Sequence, residues 1–268
     1  NAGCAPFLVT FTNGSSVAGN GVPLESFTFG FPDDNTTQNT TNVATTVNHT
    51  FNTEGSFSVT LVATDEFGCV SAPATTLISI TKPVAAFTVD AVVCDEEVFT
   101  ANNGSTGSAP LSFEWFTDNN PQSTATNFTT SFNEPSNPAS SSTSHDLTLI
   151  TTDVNGCKDT LLTPVTVSTP VAIVDYVLDG ASTNANGEFT CPPVFADFTD
   201  QSLTLGNIVS WNWVFGDGKT STLASPNNTY VFPGTYSAGL VITDEYGCTS
   251  DTALVDFLTI FGPTATPS

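Results

Sequence analysis

One six-residue phrase is written three times in this chain: TDEFGC at 64–69, TDVNGC at 152–157 and TDEYGC at 243–248. Cys69, Cys157 and Cys248 lie 88 and 91 residues apart, and each follows one earlier cysteine, Cys4, Cys94 or Cys191, by 65, 63 and 57 residues. A period of about 90 residues has the size of a small domain rather than of a solenoid turn. The phrase therefore marks the frame of a tandem repeat.

The rest of each unit aligns on that frame. FLVTFTNGS (7–15), EVFTANNGS (97–105) and VFADFTDQS (194–202) follow the first cysteines, and SFTFGFPDD (26–34), SFEWFTDNN (112–120) and SWNWVFGDG (210–218) come next. FSVTLVATD (57–65), HDLTLITTD (145–153) and YSAGLVITD (236–244) lead into the anchors. Apolar residues alternate with polar ones in these stretches: Trp211, Trp213 and Phe215 share one face, and so do Tyr236, Ala238, Leu240 and Ile242. Short alternating strands between turn signals predict antiparallel immunoglobulin-like β-sandwiches. No long segment shows helical spacing of its apolar residues.

The seams carry TKPVAAF (81–87) and STPVAIV (168–174), each with a proline before a new apolar run and no flexible Gly/Ser tract. Connections of this kind predict a semi-rigid, rod-like array. The expected domains are 1–81, 82–168 and 169–260. The second diverges most, and 261–268 reads as the start of a following repeat or a linker. Only three residues precede Cys4, so the first domain is expected to lack its opening strand, as if cut from a longer array. No signal peptide opens the chain, and no apolar run approaches the roughly 20 residues needed to span a bilayer.

Three lysines face 26 carboxylates, giving a formal net charge of −23. Nothing here neutralises phosphates, so no nucleic-acid partner is expected and attachment to an anionic membrane surface is disfavoured, while the lack of a spanning apolar run gives no expectation of membrane insertion. Hydrophobic residues reach 39% and charged residues only 11%, the balance of a folded β protein with a Thr, Ser and Asn surface.

WNWVFGDG, NNTYVF and PGTYSAGLVITDEYGC, together spanning most of 211–248, resemble the PKD (polycystic kidney disease) domain family. Its marks are a W-x-F-G-D-G strand and turn, an H-T-Y element, a P-G-x-Y element and a T-D-x-x-G-C strand. The first unit keeps NHTF (48–51) and EGSF (54–57) but has FGFPDD at the turn, and the second keeps only the cysteine frame and the last strand. Acidic, cysteine-bearing PKD arrays resemble the repeats of very large Bacteroidetes surface proteins, including gliding adhesins exported by the type IX system. The resemblance implies a non-enzymatic stalk or filament at the cell surface. Its partners would be neighbouring repeats of the same chain, with surface polysaccharide or other copies as further candidates. The alternatives are a PKD spacer in a large secreted hydrolase, or a weak Ca²⁺- or carbohydrate-binding module.

One cysteine pair per unit, in register, selects Cys4–Cys69, Cys94–Cys157 and Cys191–Cys248 from the 15 pairings that six cysteines allow. Each closed loop of about 60 residues should stabilise its domain by roughly 4 kcal/mol and implies an oxidising, extracellular location. Zinc would need more ligands than His49 and His145 add, and C-x-x-C is absent. No G-x-S-x-G, H-E-x-x-H or phosphate loop is present, so no enzyme is expected. His49 should be hydrogen-bonded locally, and His145 should sit at a core edge.

Asp217 in FGDGKTS reads first as a hairpin turn and second as a weak Ca²⁺ ligand, with Asp33 as its counterpart in the first unit. No other cofactor is expected. DTL (159–161) and DTA (251–253) match the D-S/T-aliphatic O-glycosylation pattern that the Bacteroidetes resemblance brings, pointing to Thr160 and Thr252. Sequons for N-glycosylation begin at Asn13, Asn35, Asn39, Asn48, Asn103, Asn127 and Asn227, and matter only in a host that glycosylates asparagine.

Overall fold

The computed structural model describes residues 1–17, 21–42, 44–134, 140–180, 183–184, 188–189 and 191–262. Most of the expected continuation at 261–268 lies outside the described residues. Those described are built of β-strands, turns and bridges, with no helix among them. The chain divides into two compact units, Asn1–Thr88 with Asn102–Phe128 and Thr148–Leu162, and Val89–Ala101 with Thr129–Leu147 and Thr163–Ser268, and its strands follow here in chain order.

The first sandwich holds β1 (Ala2–Cys4), β2 (Phe7–Thr12), β3 (Leu24–Phe31), β4 (Thr36–Thr40), β5 (Thr46–Phe51), β6 (Gly55–Asp65) and β7 (Ala74–Thr81). One sheet runs β1-β7-β6-β3-β4, and β2 with β5 makes the other. Alternation places Phe29, Phe31, Val59 and Ile78 inward from the larger sheet and Val9, Phe11 and Phe51 from the smaller, forming one apolar cluster. Each such side chain contributes roughly 1.5–3 kcal/mol by leaving water.

The second segment carries β8 (Phe87–Thr88), β9 (Val92–Cys94), β10 (Phe99–Asn103), β11 (Ser112–Thr117), β12 (Asn120–Ser123), β13 (Phe128–Thr130), β14 (Ser142–Thr152) and β15 (Lys158–Ser168). They form sheets β13-β10-β8 and β12-β11-β14-β15-β9. Buried Trp115 stacks on Phe128 and donates its indole N–H to the Ala125 carbonyl at 3.0 Å.

The third has β16 (Val174–Gly180), β17 (Val194–Asp200), β18 (Ile208–Val214), β19 (Thr220–Ser221), β20 (Asn227–Tyr230), β21 (Gly234–Asp244) and β22 (Thr249–Ile260), in sheets β16-β17-β20 and β19-β18-β21-β22. Trp213, Phe215, Phe198, Tyr230, Leu240 and Ile242 lie in its core, with Trp211 half-buried at the margin. The fold is thus a tandem of immunoglobulin-like sandwiches. One departure from the antiparallel expectation is general. The cysteine-bearing edge strand runs parallel to the last strand of its repeat, with Cys4 opposite Thr81 and Cys94 opposite Ser168.

Tyr230 offers a direct test of the third core. Its hydroxyl is buried and donates to the Phe215 carbonyl at 3.0 Å, and burial pushes its pKa up to about 12. A pKa raised above the unfolded value of about 10 means the contribution is complete below about pH 10. It is then lost as pH rises towards 12. The wild-type minus Tyr230→Phe difference in phenolate absorbance should therefore step near pH 12. A step near pH 10 would contradict the buried hydrogen bond.

Candidate functional site

The three T-D-x-x-G-C phrases fold alike. Asp65 Oδ1 accepts from the amides of Phe67 and Cys69, Asp153 Oδ1 from Asn155 and Cys157, and Asp244 Oδ1 from Tyr246 and Cys248, all at 2.9–3.0 Å. The aspartate amide donates back to the cysteine carbonyl each time. The glycine between takes φ of 81, 82 and 90°, a region that costs other residues strain. Acid and glycine together make a rigid turn that presents the cysteine and leaves the second carboxylate oxygen for another partner.

At two of these turns the partner is the end of the preceding repeat. Thr81, the last residue of β7, donates its hydroxyl to Asp153 Oδ2 at 2.7 Å and accepts from the Asn155 side chain at 3.0 Å. Cys4, its neighbour across the parallel pair, is disulfide-bonded to Cys157. Four residues past Thr81, the Ala85 amide donates to Asp159 at 2.8 Å. The next junction repeats the pattern. Ser168 donates to Asp244 Oδ2 at 2.7 Å, Cys94 is bonded to Cys248, and the Ala172 amide donates to Ser250 Oγ at 3.1 Å. Ser168, Asp244 and Cys248 are all buried there. A buried carboxylate fully supplied with donors is stabilising where a bare one would be costly.

The disulfides thus correct the expected pairing. They are staggered: the first cysteine of one repeat joins the second cysteine of the next, and Cys69 and Cys191 are free and exposed. The geometry of the first sandwich explains why. Cys4 sits beside the end of β7, level with the start of antiparallel β6, whereas Cys69 lies beyond the end of β6. An 11-residue strand separates them by roughly 35 Å, against the roughly 7 Å that a disulfide tolerates between Cα atoms. The end of β7 is also where the chain passes into the following repeat. One sequence signal marks the stagger. Bonded cysteines are 153 and 154 residues apart, an almost constant interval, while the in-repeat separations scatter from 57 to 65.

The two candidate cation ligands occupy equivalent turns with different neighbours. Asp217 accepts from the Lys219 amide, from the Lys219 ammonium at 2.9 Å and from the Asn228 side chain at 3.0 Å. Partial burial alone would raise its pKa, but these donors and the ammonium hold it below the usual 3.8. Lys219 already supplies the positive charge, and Asp217 belongs to no cluster of three metal-type ligands among the described residues. Gly216 beside it has φ 76°, and a Cβ there would lie 2.4 Å from the Ser237 carbonyl oxygen, so the turn demands glycine. Asp33 binds the His49 ring nitrogen through both oxygens at 2.9 Å, and His49 stacks on Phe31. With Asp34 these groups lie within 4.8 Å of one another. Thr36 holds the exposed Asp34 carboxyl below its ordinary pKa. Both turns tie the hairpin to the neighbouring strand, the one that carries His49 or Asn228.

His145 stacks on Phe132 and pairs with Glu134 at 2.8 Å. Thr160 faces solvent on β15, whereas Thr252 on β22 is partly buried opposite Leu240. They stand three and four residues after their cysteines, and a one-residue offset turns a side chain to the other face of a strand.

Tandem sandwiches clasped by a repeated Asp–Cys junction define a β-sandwich repeat protein by class. Residues 2–81 and 183–258 match the PKD domain family model, and the chain belongs to that family. The pre-pro-metalloprotease PrtV of Vibrio cholerae is 53% identical over 42 residues, 16% of this chain and 5% of PrtV. A microbial collagenase of Vibrio alginolyticus is 49% identical over 45 residues, 17% of this chain and 6% of the collagenase. The chain therefore spans about a twentieth of the curated relatives it matches. Among solved structures, the PKD1 domain of Vibrio cholerae PrtV is 29% identical, with 34% of this chain and 96% of that domain covered and a TM-score of 0.28.

Proposed function

We propose that this chain is a non-enzymatic stalk segment of an extracellular adhesin or filament of the gliding, type IX-exported kind. One observation carries the reading: the same covalent, hydrogen-bonded clasp joins successive repeats twice. Such clasps limit play between neighbours, which suits a part that transmits tension. The disulfides fit an oxidising, extracytoplasmic compartment. The charge of −23 keeps long arrays soluble and discourages lateral association. Its partners on this reading are neighbouring repeats, and then surface polysaccharide or other copies. Any weak Ca²⁺ binding is assigned to Asp33 and Asp34, and O-glycosylation to Thr160 before the half-buried Thr252.

A second reading, a spacer in a large secreted hydrolase, is favoured by the metalloprotease and collagenase relatives. Sequencing the whole gene product separates the two. Many more repeats without a catalytic domain are expected for a stalk, and a protease or other hydrolase domain beside these repeats would decide for the spacer. Casein and collagen digests with the chain itself should show no cleavage.

A further inference from the structure

Six cysteines enter this design as two kinds. Cys4, Cys94 and Cys191 are the first cysteines of their repeats, the first two reaching into the following repeat as donors, and Cys69, Cys157 and Cys248 close acceptor turns. Four are consumed, each donor with an acceptor, which leaves one donor, Cys191, and one acceptor, Cys69, both exposed. Cys191 follows Phe189, which bridges in parallel to Ile260 at the end of β22, the arrangement that places Cys4 beside β7 and Cys94 beside β15.

The acceptor face of the first sandwich lacks each contact that the other two acceptors have. Asp65 Oδ1 builds its turn, but Oδ2 has no hydrogen-bond partner among the described residues, where Asp153 and Asp244 receive Thr81 and Ser168. Phe67 is 75% exposed, while its counterparts Asn155 and Tyr246 bond Thr81 and border a cleft with Val93 and Val98.

The strand position beside β2 is also open. Elsewhere the incoming linker docks on the same three-residue motif. The Gly104 amide donates to Ala86 and the Ala86 amide to Ser105 Oγ, and Gln201, Ile173 and Ser202 do likewise. The equivalent Gly14 amide and Ser15 hydroxyl have no such partner among the described residues, and the sheet holds two strands where the others hold three. Asn13 beside them is 6% exposed, and its side-chain nitrogen is unpartnered. A cleft of about 310 Å³, lined by Phe11, Phe29 and Leu61 together with Thr12, Ser15 and Thr60, opens there. A second, of about 400 Å³, runs from Ser15 to Asp65 and Cys69. Landing strip and cysteine thus face the same incoming body.

We propose that Cys69 and Cys191 are the two halves of one further clasp of the kind that joins successive repeats, and that between chains of these 268 residues a second copy supplies the missing half, docking head to tail with Cys191 of one bonded to Cys69 of the next. The contact is heterologous, so it propagates instead of closing on a dimer. Two thiol–disulfide exchanges make the bond with a small-molecule disulfide such as oxidised glutathione as oxidant. One protein thiolate attacks that disulfide, forming a mixed disulfide and releasing one glutathione thiol. The other protein thiolate then attacks the protein-bound sulfur and releases the second. The inference rests on the chain being a repeat array and holds whether the array serves adhesion or spaces an enzyme.

The test mixes equal amounts of the full chain carrying Cys69→Ser and the full chain carrying Cys191→Ser in a glutathione redox buffer at moderate salt, which screens the acidic surfaces. Products are read on non-reducing gels and by peptide mapping. The Cys191–Cys69 heterodimer should exceed both homodimers together by about tenfold or more, and wild-type protein should give a ladder that reductant collapses. A heterodimer at the random-collision ratio, or glutathione adducts without dimers, would overturn the proposal. Either failure leaves the gene-sequence test of the stalk reading untouched.

Discussion

Replacing Cys157 with Ser should destabilise the second sandwich by about 4 kcal/mol and leave the first almost unchanged. Cys4 belongs to the first sandwich, where it is paired with Thr81. With that sandwich folded, the disulfide fixes Cys157 beside Thr81 and so closes a loop over the intervening chain. For a loop of this length the chain-entropy model gives about 4 kcal/mol, an effect on the unfolded second sandwich. The lost docking of Thr81 on Asp153 adds to it. Hydrogen exchange resolved by peptide should show faster exchange through 97–157 and little change through 7–61. An equal loss in both sandwiches would argue against the staggered bond. Mapping of the oxidised wild type should accompany this and return the peptide pairs Cys4–Cys157 and Cys94–Cys248, with thiols at Cys69 and Cys191.

Trp213→Ala should cost the third sandwich about 3–5 kcal/mol, the range for deleting a buried tryptophan. Trp213 is fully buried against Phe198 and Phe215, and its indole N–H donates to the Leu223 carbonyl at 2.9 Å. A small domain holds only about 5–15 kcal/mol in total, so this one change removes much of the margin. Trp211→Ala is the control. Its ring is half-buried, and its N–H reaches Asp200 at 2.6 Å near the sheet's margin, so the loss should be nearer 1–2 kcal/mol. Denaturant midpoints followed by near-ultraviolet circular dichroism rank the two. Equal losses would show that Trp213 is no more deeply packed than Trp211 at the sheet's margin.

That stripe is legible in the sequence alone, because alternation is a local property of strands. Trp213 and Phe215 point inward for the same reason that Asn212 and Val214 point out. Cysteine pairing belongs to another level. Which end of a sheet each cysteine occupies depends on the parallel edge strand, and alternation carries no sign of parallel against antiparallel neighbours. A single pair per repeat suits pairing within a repeat and between repeats equally well, until the length of β6, roughly 35 Å, separates its two ends. Asp217 is partly legible, since Lys219 stands two residues away, yet Asn228 reaches it from another strand. Thr160 and Thr252 look equivalent because the pattern ignores a one-residue offset that decides which face of a strand a hydroxyl takes.

The overlap of the two disulfide loops has a consequence for wear. One loop covers every peptide bond from Cys4 to Cys157 and the other every bond from Cys94 to Cys248. A protease that cuts once anywhere between Cys4 and Cys248, including after any of the three lysines, leaves both fragments joined through sulfur. Within 94–157 either bridge alone is enough to hold them. A chain laced this way is bridged past every bond from Cys4 to Cys248, twice over its middle, and one nick in a hostile medium does not part it.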